Sequence, residues 1–463
     1  MMRSFALLIG CMVLFTCQPS SEQSPAAACW ITTKDQTKLL TRVADVSFSE
    51  TTATKSIIHL DTTITYQTMD GFGYTLTGGS AQLIQKLSTP AREALIQELF
   101  VDLDISYLRI SIGASDLDNH VFSYDDMPAG KKDERLEHFS LAADTAYLLP
   151  TLRQILQLNP TVKIMGSPWS APAWMKDNQS PKGGKLLTRY YPVYANYLAN
   201  YLEAMAKEGI SLDAITIQNE PEHPGNMPSM TMTSDEQREF VKSFLGPTFR
   251  ARGIATKIII YDHTCDHPDY PLITLSDSVA KQFVDGTAFH MYLGDIGAMS
   301  QVHNAHPDKN IYFTEQWTSG KGDFGGDLQW HVKNLVVGAP RNWSRTVLEW
   351  NLAADENFQP HTNEGGCTLC QGAITIHSTT GNIERNVSYY IIGHAAKFVP
   401  PGSVRIFSSE VNGLPNVAFR APSGKKVLIV LNETGAELKF AVGYNKRFGN
   451  TSLPVGAVAT MVF

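Results

Sequence analysis

A (β/α)8 barrel with an attached all-β side domain is the fold class the sequence predicts, and three observations predict it. Eight short apolar runs recur in series, each ending in polar or aromatic residues. Amphipathic helical segments alternate with them, which is the pattern of a parallel α/β architecture. Near Ser403 the helical periodicity stops, and short apolar runs divided by Gly, Pro, Asn and Ser turns take over. An open parallel sheet would also place reactive groups at strand ends, but it suits eight units in sequence order less well.

Taken in order, the chain starts with Arg3 ahead of an apolar run over 5–15, too short to span a bilayer. That run leads to Thr16-Cys17 and a polar stretch over 18–24. It looks like a lipoprotein-type signal peptide, 1–17, with Cys17 as the lipidated residue; an ordinary cleaved signal is the alternative. Either reading exports the protein, to the periplasm or cell surface of a Gram-negative bacterium, and a lipid on Cys17 would attach it to the membrane. No later segment is long and apolar enough to be a span. Residues 18–29 read as a linker and 30–67 as N-terminal strands of a β-sandwich, with alternation over 43–48 and again over 56–60.

The catalytic barrel is assigned to 68–395. Its strand candidates are 71–73, 107–110, 164–169, 214–220, 258–263, 288–292, 311–315 and 347–351. Ser88-Thr89-Pro90 predicts a helix start, a capping hydroxyl followed by proline where no N–H is missed. Leu95, Ile96 and Leu99 share a helical face, as do Tyr197, Leu198, Tyr201, Leu202 and Met205. The stretch 396–463 completes the sandwich, with strands near 404–407, 416–419, 426–431 and 458–463.

Composition narrows the function. Of the 463 residues, 43% are hydrophobic and 18% charged, which describes a globular chain. A net charge of -7 argues against a nucleic-acid partner, since such proteins carry excess positive charge for phosphates. Of six cysteines, Cys11 and Cys17 belong to the leader, leaving Cys29, Cys265, Cys367 and Cys370. One Cys-x-x-Cys supplies two ligands where a structural zinc needs four. In an oxidising compartment Cys367 and Cys370 read as a local disulfide or as packed thiols.

Two carboxylates carry the chemistry. Gln218-Asn219-Glu220-Pro221 ends the fourth strand candidate and Thr314-Glu315-Gln316-Trp317 the seventh. Alone, Asn-Glu-Pro reads equally as a capped turn. Together, carboxylates on strands four and seven can face each other across a barrel axis. Glycoside hydrolysis needs such a pair: one acid protonates the leaving oxygen and one carboxylate attacks the anomeric carbon, about 5–5.5 Å apart in a retaining enzyme.

The string of motifs resembles glycoside hydrolase family 30, the family of glucosylceramidases and endo-β-1,6-glucanases. It comprises Asp70-Gly71-Phe72-Gly73, Leu108-Arg109-Ile110-Ser111, the run from Ser167-Pro168-Trp169-Ser170 to Trp174-Met175-Lys176, Gln218-Asn219-Glu220-Pro221, Phe289-His290-Met291-Tyr292, Thr314-Glu315, Glu349-Trp350-Asn351-Leu352 and, at the domain join, Gly393 to Ser403. The resemblance runs from about Trp30 to the C-terminus. It implies Glu220 as acid/base, Glu315 as nucleophile and Asp116 as a ligand of the terminal glucose hydroxyls.

Around these, Asn219 is placed to bond the sugar 2-hydroxyl, and Arg109 to orient Glu315 and hold it ionised. Tyr292 is expected to donate to Glu315 and His290 to line the floor. Trp169 and Trp350 are expected to wall the pocket; Trp174 and Trp317 either join them or pack under loops. The segment Tyr74-Thr75-Leu76-Thr77-Gly78 departs from the lysosomal-type pattern, and Asp262-His263-Thr264-Cys265-Asp266 lacks the Asn and Trp that members of the family often show beside Asp-His. A metal reading of Asp262, His263, Asp266 and His267 is set aside, and neither metal nor cofactor is expected.

The expected activity is retaining hydrolysis of a β-glucan or β-glucoside, as an endo-β-1,6-glucanase, the branch that Gly78 and the sequence Gly365-Gly366-Cys367-Thr368-Leu369-Cys370 favour. Glucosylceramidase activity is the alternative. A non-catalytic glycan-binding lipoprotein is remote, because both carboxylates are present.

Overall fold

The computed structural model describes residues 26–463. The leader 1–17, with Cys17, lies outside the described residues. Three strands come first: β1 (Ala26–Thr32), β2 (Thr41–Ser49) and β3 (Ile57–Thr68). Strand β1 begins inside the stretch read as linker. Ala26 to Cys29 are drawn into the sheet because β1 pairs with strands on both sides.

The barrel strands are β4 (Gly71–Thr75), β5 (Tyr107–Ile112), β6 (Lys163–Pro168), β7 (Ala214–Thr216), β8 (Lys257–Cys265), β9 (Val284–Gly294), β10 (Asn310–Glu315) and, beyond the short β11 (Thr318–Ser319), β12 (Ser344–Glu349). They close as β10-β12-β4-β5-β6-β7-β8-β9, eight parallel strands. Gly73 permits the close approach of β4 to β5, since a Cβ there would meet the Tyr107 carbonyl oxygen at 1.9 Å. Two helices follow β4, Gly78–Lys86 and Thr89–Gln97; the second has Pro90 in its first turn, but the Ser88 hydroxyl makes no cap bond.

Side chains fill the barrel in layers, because alternate residues of each strand point inward. One apolar layer holds Tyr107, Met165, Ala214, Ile259, Ala288, Tyr312 and Leu348, all buried. At the amino ends below it lies a ring of ion pairs. Asp70 binds Arg345 and Lys163, each at 2.8 Å, and Asp213 binds Lys257 at 3.1 Å and the Tyr107 hydroxyl at 2.8 Å. Two residues above the apolar layer, towards the carboxyl ends, the same strands carry Arg109, Ser167, Thr216, His290 and Thr314.

Strand β8 breaks this count. Parity would turn Tyr261 inward, but Tyr261 and Asp262 have φ of 71° and 66°, and the pairing with β9 slips between Tyr261 and His263. The extra residue is a bulge. It turns Tyr261 out against Tyr270 and Phe289 and delivers Asp262 to the polar layer.

Beyond the barrel come β13 (Ala353–Ala354), β14 (Cys370–Gln371), β15 (Ile374–Ile376) and β16 (Ile383–Arg385), then β17 (Val404–Ser408), β18 (Asn416–Arg420), β19 (Lys426–Leu431), β20 (Leu438–Tyr444), β21 (Arg447–Leu453) and β22 (Val458–Val462). The sandwich runs full circle as β1-β2-β21-β20-β3-β17-β18-β19-β22. Its interior includes Phe48, Ile58, Leu428, Val430, Phe440 and Met461. A fully buried helix, Val387–Ala396, joins it to the barrel: His394 bonds Thr32 of β1 at 2.8 Å and Thr460 of β22 at 2.9 Å. No helix among the described residues is long and apolar enough to cross a membrane.

Candidate active site

The polar layer at the carboxyl ends converges on Asp262. Its Oδ2 accepts from Arg109 at 2.8 Å and from the hydroxyls of Ser167 and Thr216, each at 2.7 Å. Its Oδ1 accepts from Thr314 at 2.7 Å and from His290 Nε2 at 3.1 Å. Burial alone would raise this carboxyl, but the Arg109 guanidinium and His290 hold it well below the usual carboxylate range.

Arg109 is fully buried and stands between the layers. Its Nη1 donates to Glu315 Oε2 at 2.5 Å and its Nη2 to Asn219 Oδ1 at 2.6 Å, while the Trp169 ring lies 4.8 Å from the guanidinium. Tyr292 donates to Glu315 Oε1 at 2.9 Å. Glu315 therefore sits between a guanidinium and a phenol, two donors that orient one carboxylate. Asn219 uses its oxygen on Arg109, and its amide N–H groups take no protein partner among the described residues.

Glu220 follows at the end of the fourth unit with φ 47°, a left-handed backbone that non-glycine residues seldom adopt and that collects at functional sites. Its N–H donates to the Asp262 carbonyl at 3.0 Å; its Oε1 faces His290 Nδ1 at 3.2 Å and its Oε2 accepts from Asn226 at 3.2 Å. Ligand atoms of Glu220, His290 and Glu315 all lie within 4.8 Å of one another. A cation could be imagined there, but Arg109 and His290 already bring positive charge against both carboxylates, so the donor set does not suit a metal.

Charges in this cluster are shared. Burial lowers the basicity of His290, yet the Glu315 charge and the bonds to Asp262 and Glu220 raise it to about 9. Burial lifts Glu315 above its ordinary range, with Glu220 adding to the rise and His290 and Arg109 opposing it. Glu220 is as buried, and the bond and charge of His290 draw it below its ordinary range. These directions go with a charged His290, whose Nδ1 faces Glu220 Oε1.

The cavity above measures 580 Å³. Asp116, Trp169, Glu220, Tyr292, Glu315, Trp317 and Trp350 line it; Arg109, Asn219 and His290 stand behind this surface. Trp169 and Trp350 stack at 5.4 Å. Trp174 packs under a loop and donates to the Asp125 carbonyl at 2.9 Å. Glu222, His223, Asn226, His263, Thr264, Asp266 and His267 line the cavity as well, together with the exposed Leu293. Cys367 and Cys370 form a disulfide that also lines the cavity, while Cys29 and Cys265 are free and buried.

Sequence reasoning missed Asp262 as the hub and Asn226 as a partner of Glu220. A buried Arg109 needs more than one anion, which was a usable signal for Asp262; the bulge that delivers it was not readable. The four residues of the discarded metal reading do not converge, for Asp262 faces the interior while His267 pairs with Glu222 at 2.8 Å on the rim.

A (β/α)8 barrel with two close carboxylates at the carboxyl ends of its strands, inside an aromatic-walled cavity, defines a glycoside hydrolase. The chain belongs to glycoside hydrolase family 30: the family's TIM-barrel domain matches residues 69–399 and its beta sandwich domain residues 402–461. It is 32% identical over 404 residues to the endo-1,6-beta-D-glucanase neg1 of Aspergillus fumigatus, covering 81% of this chain and 80% of the relative. Identity to the lysosomal acid glucosylceramidase of Mus musculus is 26% over 424 residues, 84% of this chain and 80% of that one. Among solved structures, the endo-beta1,6-glucanase BT3312 superposes with a TM-score of 0.88 at 34% identity, covering 94% of this chain and 99% of that one.

Proposed function

We propose that this enzyme is an exported endo-β-1,6-glucanase that cleaves its glucan with net retention, using Glu315 as nucleophile and Glu220 as acid/base. The observation that carries the reading is the approach of a Glu220 carboxylate oxygen and a Glu315 carboxylate oxygen to within 4.8 Å in one cavity, with His290 behind both. So close an approach suits the covalent intermediate of a retaining enzyme better than the wider pair of an inverting one.

In the first step Glu315 attacks the anomeric carbon while the leaving oxygen takes a proton from Glu220. Glu220 obtains its acid form from His290, whose Nδ1 lies 3.2 Å from the Glu220 Oε1, leaving a neutral imidazole whose Nε2–H still donates to Asp262. Arg109 and Tyr292 hold Glu315 as the anion. In the second step Glu220 takes a proton from water, which releases glucose-ended product from Glu315. Asn219 offers its free amide to the 2-hydroxyl, Asp116 bonds hydroxyls of the transferred glucose, and Trp169, Trp317 and Trp350 wall its ring.

The leaving-group side favours a glucan over a lipid. Glu222, His223, His263, Asp266 and His267 offer hydrogen bonds to sugar hydroxyls, and among the described residues Leu293 is the one aliphatic side chain lining the cavity with them. Export, with Cys17 lipidated at the membrane of a Gram-negative cell, would bring the enzyme to polymeric substrate. Product analysis tests the reading: β-1,6-glucan should yield short oligomers early, and glucosylceramide little. Turnover of the lipid alone would replace the glucanase by a glucosylceramidase.

A further inference from the structure

The segment between β13 and β15 reaches three loops of the barrel mouth. Thr362 N–H donates to the Asp116 carbonyl at 2.8 Å, and the Thr362 hydroxyl donates to the Met227 carbonyl at 2.8 Å. A Cβ on Gly366 would come 2.9 Å from the Asp116 carbonyl oxygen. Gly365, at φ 82°, packs so tightly on the loop after Glu220 that a Cβ would come 2.6 Å from the Gly225 oxygen. At its far end, β14 pairs with β11 just after Glu315, and Gly320 N–H donates to the Leu369 carbonyl at 2.9 Å.

The Cys367–Cys370 bridge closes the inner bend of this segment and faces the cavity. Cys370 packs with Leu117, Trp169 and Trp350. The backbone N–H of Cys367 donates to Asp116 Oδ2 at 3.3 Å, the one hydrogen bond to that side chain among the described residues. Asp116 is therefore held by a group whose own place depends on the bridge to Cys370, itself pinned to the nucleophile's loop.

We infer that the Cys367–Cys370 disulfide is a specificity-determining part of the glucosyl subsite: it clamps the Cys367 amide on Asp116 and backs the tryptophan wall, fixing how Asp116 meets sugar hydroxyls. The inference rests on Asp116 being a sugar ligand, as proposed above. Burial, with the Glu315 and Glu220 charges adding, pushes Asp116 up to about 8. At neutral pH it is an acid that can donate to one hydroxyl while accepting from Cys367. Such a donor discriminates only while its orientation is held.

The test compares Cys367→Ser/Cys370→Ser, Asp116→Ala and the triple variant on aryl β-glucoside and aryl β-galactoside. The serine pair should raise KM for the glucoside about tenfold with a smaller change in kcat, and should narrow the preference for glucose over galactose. Asp116→Ala should raise KM likewise, and the triple variant should add little to either, the mark of one coupled device. Unchanged KM and sugar preference in the serine pair, beside a raised KM in Asp116→Ala, would overturn the inference and leave the Asp116 reading standing. Unchanged KM in Asp116→Ala would overturn both, and additive effects would overturn the coupling. If the serine pair does not fold, the wild type is treated with a water-soluble phosphine, which takes oxygen from water as the disulfide becomes two thiols. The KM rise should then appear on reduction and vanish on reoxidation; no rise despite two new thiols would overturn the inference.

Discussion

The two ends of the barrel carry charge in opposite ways. At the amino ends, the buried Asp70 meets Arg345 and Lys163, whose side chains are a quarter to a third exposed, so both cations keep water as well as a partner. At the carboxyl ends, Arg109, Asp262 and His290 have lost water altogether and rely on one another. One end spends its charges on holding strands together; the other keeps them dry, where a field acts on a substrate at full strength. The same eight strands separate the two by a single apolar layer.

Mutations at each end should therefore have separable effects. The largest is expected from Glu315→Gln, which should cut kcat on an aryl β-glucoside by about 10³-fold or more with little change in folding. Normal turnover by that variant would remove the nucleophile from this site. Asp262→Asn and Asp70→Asn make the direct contrast. The first should lower kcat/KM about 10²-fold, because it takes an anion from Arg109 and His290 together. The second should cost about 1–3 kcal/mol in denaturant unfolding and leave kcat/KM within about twofold. Equal catalytic losses would erase the distinction between the ends.

A pH series sharpens it. His290, raised to about 9 in the folded protein from an ordinary 6.5, gives stability that is fully present below pH 6.5 and lost as pH rises through about 9. Thermal unfolding should fall across that window, and kcat/KM with it as the acid loses its proton source. His290→Asn should flatten the stability decline. The smallest effect lies far from both ends. Asn445 and Lys446 turn the β20–β21 hairpin at φ of 50° and 60°, so Lys446→Gly should stabilise by about 0.5–1 kcal/mol without touching turnover.

What the sequence revealed follows from the same physics. The barrel was legible because buried parallel strands read as apolar runs with polar ends, and Glu220 and Glu315 stood at two of those ends. Arg109 was legible because a cation inside a strand needs an anion. Asp262 was hidden by the β8 bulge, which shifts parity by one residue and leaves no trace in apolar spacing. Strands β20 and β21 were missed too: β21 is largely polar, and its turn uses Asn-Lys where Asn-Gly would have announced a hairpin.

The pairing of β1 with β22 has a consequence for how the molecule is made. A polypeptide emerging in order presents the β1–β2 hairpin early, yet the strand that covers its open edge follows only after the whole barrel. The sandwich is therefore the late-maturing half, and a chain interrupted before β22 would leave a bare edge ready to join a neighbour.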